Sequence, residues 1–383
     1  METKRTKVLI FAEWFYPGYK AGGPITSITN FVDQLKKDLD LYVFTTDRDL
    51  GDNTKYSGVQ TDIWENISGC HVFYTSPENL NRRTIKEVLD SVSPDIVYLN
   101  SMYSYYFTIL PLIITKTGKQ RLKVILSPRG MLKPSAISHK KWKKKLFLIL
   151  CRKIGLMRHI EFHATDIQES KDIKTVFGEA VQPLIMGNLP AIQSSFVQPP
   201  QKKPGELKLI FVGRVHPIKN LLYLLEAVRS SKVAILLTIV GPVEDEAYWR
   251  KCKQVISEFR ADIKVREVPD INHEGVLNLV REHHVFVLPT AGENFGHAIF
   301  EALSVGRPVL ISDQTPWRNL SDHKAGWDLS LTDKNQFTMT IDRAGEWENV
   351  ELLLWCKGAW SYCSEYLRSN ELRTRYLKLF TTA

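Results

Sequence analysis

Apolar and polar positions fall into alternating blocks along the chain. Val8-Leu9-Ile10-Phe11 is an apolar run of strand length, and a loop with Pro17, Gly18, Gly22, Gly23 and Pro24 follows it. From Ile25 to Lys37 the apolar residues Ile25, Ile28, Phe31, Val32 and Leu35 recur at helical spacing. Further strands are predicted at Leu41–Phe44, Ile96–Leu99, Val124–Leu126 and Ile160–His163, with helical stretches between. Near residue 190 the pattern breaks, and Gln193 to Gly205 is rich in Gln, Ser, Pro and Lys, the composition of a linker. Strands are then predicted at Leu209–Val212, Ile235–Val240, Ile263–Val265, Val285–Leu288 and Pro308–Ile311. They alternate with helices at Leu221–Val228, Ala247–Phe259, Glu274–Arg281 and Phe295–Val305. The last 50 residues read as helical, with Trp355, Trp360, Tyr362, Tyr366 and Tyr376 as aromatic anchors. Strand–helix alternation of this kind predicts parallel sheets covered by helices on both faces. The expected fold class is α/β, in two units: an N-terminal domain over 1–190, a linker over 191–205 and a C-terminal domain over 206–358.

Composition narrows the class. A length of 383 residues suits two domains of about 190. Apolar content of 44% and charged content of 24% exclude general disorder. No apolar run reaches the roughly 18–20 residues of a spanning helix. Met1–Lys7 is short and polar and does not read as a secretory signal. Five scattered cysteines without a CxxC pair predict reduced thiols and a cytoplasmic protein. Of the 51 basic and 42 acidic residues, 27 and 19 lie in Met1–Ile185, so +8 of the net +9 belongs to the first half. Ile96–Ile160 holds 14 Lys/Arg and no Asp or Glu, a surface suited to an anionic partner.

Two strand-end motifs carry candidate chemistry. Phe211-Val212-Gly213-Arg214-Val215-His216-Pro217-Ile218-Lys219-Asn220 leaves a strand and opens a helix. Gly213 permits a tight turn, and Arg214 and Lys219 could hold a diphosphate as a fork and a point charge; the alternative is two solvated turn residues. Gly292-Glu293-Asn294-Phe295-Gly296-His297 follows strand Val285–Leu288, with Glu301 about two turns into the next helix. A helix start offers backbone amides to an anion, and a carboxylate accepts hydrogen bonds from sugar hydroxyls. Plain capping by Glu293 is the alternative reading.

A Gly-Arg-x4-Lys-Asn turn followed some 75 residues later by Glu-x7-Glu resembles glycosyltransferase family 4, retaining nucleotide-sugar-dependent enzymes of the GT-B fold. Gly22-Gly23-Pro24, Ser127-Pro128-Arg129-Gly130-Met131, His163-Ala164-Thr165-Asp166, Met186-Gly187-Asn188 and Gly306-Arg307-Pro308-Val309 fit the same family in order. The resemblance implies two Rossmann-like domains facing each other across a cleft, with a C-terminal helix over 359–383 packing back on the first. It implies that Arg214 and Lys219 bind the donor diphosphate, that Gly22, Gly23 and Gly213 let backbone approach it, and that Glu293 is the catalytic residue at the donor sugar. Asn294, Phe295 and Gly296 would meet sugar and phosphate, and Glu301 the ribose. It further implies no metal and no cofactor, a UDP-sugar donor (GDP-sugar as alternative) and hexosyl transfer in cell-surface polysaccharide synthesis, such as lipopolysaccharide or capsule.

The chain departs from the family pattern in two places. Arg129 and Asn100 stand where histidine is often found, and an arginine remains protonated and cannot serve as a base. They are candidates for contact with phosphate or acceptor, Arg129 being equally a structural residue. No catalytic histidine is assigned; His163 and His297 read as structural. The resemblance to a retaining family, with no obvious enzymic nucleophile, implies front-face attack, the leaving phosphate helping to take the acceptor proton.

Lys140, Lys141, Trp142, Lys143, Lys144 and Lys145 precede the apolar run Leu146–Leu150, the pattern of an interfacial helix. Together with the resemblance it implies a peripheral enzyme on the cytoplasmic face of an anionic membrane, acting on a glycan or polyprenyl-diphosphate-linked acceptor. The alternative is apolar packing with solvated lysines. A nucleotide-sugar epimerase is a rival of the same architecture. Nucleic acid is not expected as a partner, since no helix-turn-helix, ribonucleoprotein or zinc motif accompanies the charge.

Overall fold

The apolar runs Ile96–Leu99 and Val285–Leu288 are buried at every position, as strands covered on both faces must be. The computed structural model describes residues 5–118, 122–133, 141–193, 195–269, 271–369 and 371–381. It divides into two units, residues 1–189 with 371–383 and residues 190–370.

The first unit runs β1 (Lys7–Phe11), α1 (Gly23–Leu35), β2 (Asp40–Thr46), β3 (Trp64–Ile67), β4 (Cys70–Thr75), α2 (Arg82–Val92) and β5 (Ile96–Leu99). A π-helical turn, Tyr105–Ile109, leads into α3 (Leu110–Thr117). Then come β6 (Lys123–Leu126), α4 (Lys141–Lys153), β7 (Glu161–Ala164), α5 (Ile167–Phe177) and β8 (Leu184–Ile185). Its eight-stranded sheet has the order β3-β4-β2-β1-β5-β6-β7-β8. The β3–β4 pair is antiparallel and the other pairs are parallel. The sequence pattern does not reveal this hairpin, because β3 is short and only half-buried. Its turn, Ser68-Gly69, has positive φ at both residues (52° and 86°), the backbone that a tight hairpin requires.

The second unit runs β9 (Glu206–Val212), α6 (Leu221–Arg229), β10 (Ala234–Val240), α7 (Glu246–Ser257), β11 (Ile263–Val268), α8 (His273–Arg281) and β12 (Val285–Leu288). It continues α9 (His297–Ser304), β13 (Val309–Ser312), β14 (Gly326–Leu329), α10 (Lys334–Gly345) and α11 (Asn349–Ser369). The six strands are parallel, in the order β11-β10-β9-β12-β13-β14. Strand β14 also goes beyond the sequence reading. Helix α10 buries only Phe337, Ile341, Ala344 and Gly345 of a mostly polar segment.

Two boundaries differ from expectation. The 359–383 segment is not one helix: residues to Ser369 belong to α11 in the second unit, and α12 (Leu372–Thr381) packs in the first. There Tyr376 and Phe380 meet Phe31 edge-on at 5.7 and 5.2 Å. The 191–205 stretch is fastened to the second unit rather than tethered loosely. Arg307, fully buried, donates to the carbonyls of Val197 and Gln198 at 2.9 and 3.1 Å. The Lys202 ammonium donates to the carbonyls of Gly345 and Trp347 at 2.5 and 2.9 Å. Such bonds satisfy carbonyls at and just beyond the carboxyl end of α10.

The second core is tied to α11 through Trp355, whose ring stacks on Trp327 at 4.4 Å and on Trp347 at 5.1 Å. Replacing this buried ring leaves a cavity that its stacked neighbours cannot fill. Trp355→Ala is therefore expected to lower stability by about 3–5 kcal/mol. Chemical denaturation followed by far-UV circular dichroism checks this; an unchanged midpoint would show that the stack carries little of the fold.

Candidate functional site

In the second unit the strand order reverses between β9 and β12, which are neighbours. In sheets of this kind ligands bind beyond the carboxyl ends of the strands at that reversal. Both chemistry-bearing segments leave from there, Gly213–Asn220 after β9 and Pro289–Gly296 after β12.

The first of them is folded back on β10. Gly213 N–H donates to Val240 O, and Val215 N–H to Pro242 O, both at 2.9 Å. Gly241, at φ 134°, lies so close that a β-carbon there would stand 2.4 Å from the Gly213 carbonyl oxygen. A short 3-10 turn, Pro217–Lys219, follows, and Asn220 closes it at φ 58°. Asparagine tolerates this left-handed backbone better than most residues. The Lys219 stem lies over Gly213, 3.6 Å from where a β-carbon would be.

The second segment is laced to the first. Ala291 N–H donates to Ile218 O at 2.7 Å, and Thr290 Oγ1–H donates to the same carbonyl at 2.9 Å. Trp317 Nε1–H donates to Phe295 O at 2.7 Å and fixes the loop before α9. Gly296, at φ 78°, is the cap of α9, where a side chain would also strike Ile299. These contacts bring Lys219 and Glu293 together as an ion pair, with both side chains largely shielded from solvent. Glu301, buried in α9, accepts a hydrogen bond from His273 Nε2 at 2.9 Å. That bond, with the carboxylate's charge, raises the His273 pKa against the opposing effect of burial. Arg214 Nη1 pairs with Glu244 Oε2 at 2.6 Å. The site thus combines cations, carboxylates and the start of a helix, a set that can hold phosphate and hydroxyl groups together. His297 is buried against the Phe295 ring at 4.8 Å.

In the first unit, Gly22 caps α1 at φ 66°, and Gly23 and Pro24 open the helix. Arg129 and Asn100 are brought together. The Arg129 guanidinium donates to Asn188 Oδ1, to Tyr98 Oη at 2.9 Å and to Asn100 Oδ1 at 2.9 Å, so its donors are directed into the protein. Tyr98 Oη lies 2.8 Å from His163 Nδ1, and His163 Nε2 lies 2.9 Å from Met186 O. A carbonyl only accepts, so Nε2 carries the proton and Nδ1 accepts from the tyrosine. Burial, aided by the Arg129 charge, pushes the His163 pKa down to about 3, and the ring stays neutral. Helix α5 is capped by Asp166, and the Glu169 carboxylate accepts from the N–H groups of Gly130 and Thr165.

Helix α4 holds most of the lysine run. Lys140 lies outside the described residues, as do the side chains of Lys141 and Lys143. Leu148 and Cys151 are buried, Phe147 meets Tyr103 edge-on at 5.7 Å, and the Lys144 ammonium lies 4.9 Å from the Tyr103 ring centre. Lys145 is exposed. Trp142 is 86% exposed, and Leu146, Ile149, Leu150 and Ile154 are exposed beyond it at helical spacing. Among the described residues no helix is long and apolar enough to cross a membrane.

Sequence reading missed Glu244, His273 and Glu13. Glu244 follows β10 in a strand-end Gly-Pro-Val-Glu loop, a position that matches the two recognised motifs. No linear signal links His273 to Glu301. Glu13, just beyond β1, is a half-buried acid whose pKa burial raises more than its Ser104 hydrogen bond lowers it.

Residues 193–349 match the family described as Glycosyl transferases group 1. No curated protein matches the chain in sequence. Its structure is similar to HepE from Anabaena in complex with UDP and glucose, with TM-score 0.70 and 13% identity over 99% of this chain and 100% of that one. It is similar to sucrose-phosphate synthase from Thermosynechococcus elongatus, with TM-score 0.71 and 16% identity over 99% and 100%. WaaG, a glycosyltransferase involved in lipopolysaccharide biosynthesis, superposes with TM-score 0.62 and 13% identity over 98% and 100%. The likeness of the whole chain to these solved structures shows the GT-B fold, and the segment 193–349 within it matches the glycosyl transferases group 1 family.

Proposed function

We propose that the protein is a retaining, metal-independent hexosyltransferase that takes its sugar from a nucleotide-sugar, a UDP-sugar before a GDP-sugar. The observation that carries the reading is the Lys219–Glu293 ion pair at the β9/β12 reversal, with Glu301 farther along the helix that follows. Lys219 and Arg214 hold the donor diphosphate, and their charge is needed most as the phosphate leaves. Glu293 contacts the sugar, the segment Asn294–Gly296 meets sugar and phosphate, and Glu301 accepts from the ribose hydroxyls. The leaving phosphate oxygen takes the proton of the attacking acceptor hydroxyl. No histidine is needed as base, in keeping with a His163 held neutral inside its hydrogen-bond chain. The choice of UDP is supported by HepE, solved with UDP-glucose and with UDP and glucose.

The glycine cap Gly22-Gly23 in the first unit is assigned to the donor phosphates as well. Arg129 and Asn100 are assigned to the acceptor region, where the Arg129 guanidinium is held at once by Asn188, Tyr98 and Asn100. The acceptor is a glycan or a polyprenyl-diphosphate-linked glycan of a cell-surface polysaccharide. The outward apolar stripe of α4 and its lysines support attachment to an anionic membrane surface at the cytoplasmic face.

Two experiments test this reading. UDP should raise the melting temperature without added metal, by mass action on the folded state, and Lys219→Ala should abolish most of the shift. Glu293→Ala should retain UDP binding, since it frees Lys219, yet lose turnover by about 10²–10³, the loss typical of one transition-state contact. UDP release from UDP-sugars measures the latter, and near-normal turnover in both variants would remove the donor site. For the membrane, vesicles with and without phosphatidylserine should separate wild type from a variant with Lys140, Lys141, Lys143, Lys144 and Lys145 changed to Gln. At about 1 kcal/mol per lysine near the surface, binding should fall more than tenfold, and unchanged binding would leave α4 as a solvated helix.

A further inference from the structure

Arg214 already holds an anion of its own. Its guanidinium pairs with Glu244 Oε2 at 2.6 Å, and the carboxylate comes from the loop after the neighbouring strand β10. That loop leaves little freedom. Val215 N–H donates to Pro242 O, and the N–H groups of Glu244 and Asp245 both donate to Val215 O at 3.2 Å. On the far side Asp245 caps α7 by accepting from Tyr248 N–H at 2.9 Å. The close contact of Gly241 with the Gly213 carbonyl locks the two loops together. Glu244 is therefore presented to Arg214 by fixed backbone on both sides.

Fold stability is a poor explanation for the pair. Both side chains are partly solvent-exposed, and ion pairs of that kind contribute about 0–1 kcal/mol. The loops are already joined by backbone bonds that need neither side chain. What the pair does control is the availability of a guanidinium at the mouth of β9. A carboxylate and a diphosphate both favour the planar fork of arginine, so they compete for it.

We infer that Glu244 is the affinity-setting residue of the donor site, a built-in competitor that holds Arg214 when the site is empty and yields it to the diphosphate. This rests on the reading of Arg214 as a diphosphate ligand. The exchange explains how a site with strong cations avoids retaining its nucleoside diphosphate: the departing phosphate is replaced at Arg214 by a carboxylate already in place. Where the grip is equal in ground and transition states, loosening it raises KM and leaves kcat unchanged.

Isothermal titration of wild type, Glu244→Gln, Arg214→Ala and the double variant with UDP, GDP and uridine tests the inference. Glu244→Gln, which keeps shape and removes charge, should bind the tighter of the two diphosphates about three- to fivefold more strongly, the range an exposed ion pair represents. Uridine, without phosphates, should bind both forms alike. In the Arg214→Ala background most of the gain should vanish, as expected of coupled neighbours. Equal or weaker diphosphate binding by Glu244→Gln, with Arg214→Ala clearly impaired, would overturn the competitor role and leave Glu244 as a support for Arg214. Arg214→Ala binding as well as wild type would instead remove Arg214 from the donor site, and the inference with it.

Discussion

Lys219 and Glu293 are 74 positions apart, and they meet because β9 and β12 lie side by side in a parallel sheet. Parallel strands all end on one edge, and at the reversal of strand order the following helices depart to opposite faces. The loops after these two neighbouring strands then lie open at that edge. The local chemistry depends on this one adjacency. The hydrogen bonds from Thr290 and Ala291 to Ile218 follow from it, as does the inward placement of the lysine.

The site is held close to neutral. Lys219 faces Glu293, Arg214 faces Glu244, and Glu301 faces His273. Burying or crowding single charges without partners is costly, so each is paired within the protein. The partners come from different elements, which ties these pairs to the packing of β10, α8 and α9. The glycines complete the arrangement where backbone rather than side chain must fit, Gly241 against Gly213 and Gly296 at the start of α9.

The first unit uses its polar groups differently. Arg129, Tyr98, His163 and Met186 form a directed chain of donors and acceptors. Tyr376 of α12 joins it by donating to Gly187 O at 3.1 Å. Such a chain fixes side-chain directions at the carboxyl edges of β5, β6 and β7, and its low-dielectric setting keeps the histidine uncharged. The unit's excess positive charge is concentrated elsewhere, in α4, where an inner apolar face packs against Tyr103 and an outer one stays exposed.

The sheet class, most element positions and the placement of Arg214, Lys219 and Glu293 just beyond strand ends, with Glu301 in the helix that follows, were legible in the chain, because they depend on periodicity and on short motifs at strand ends. The β3–β4 hairpin and β14 were not, since short segments acquire their structure from neighbours they meet only after folding. The same reason separates the two kinds of site residue. Glu244 and His273 sit 30 and 28 residues from the groups they hold, and linear spacing carries no trace of that pairing. The C-terminal segment illustrates it too, with Trp355 serving one core and Tyr376 the other. Sequence by itself determined which residues could act. Strand order decided which of them touch, because contact between distant residues is set by sheet register and loop closure, and neither is encoded in any local window.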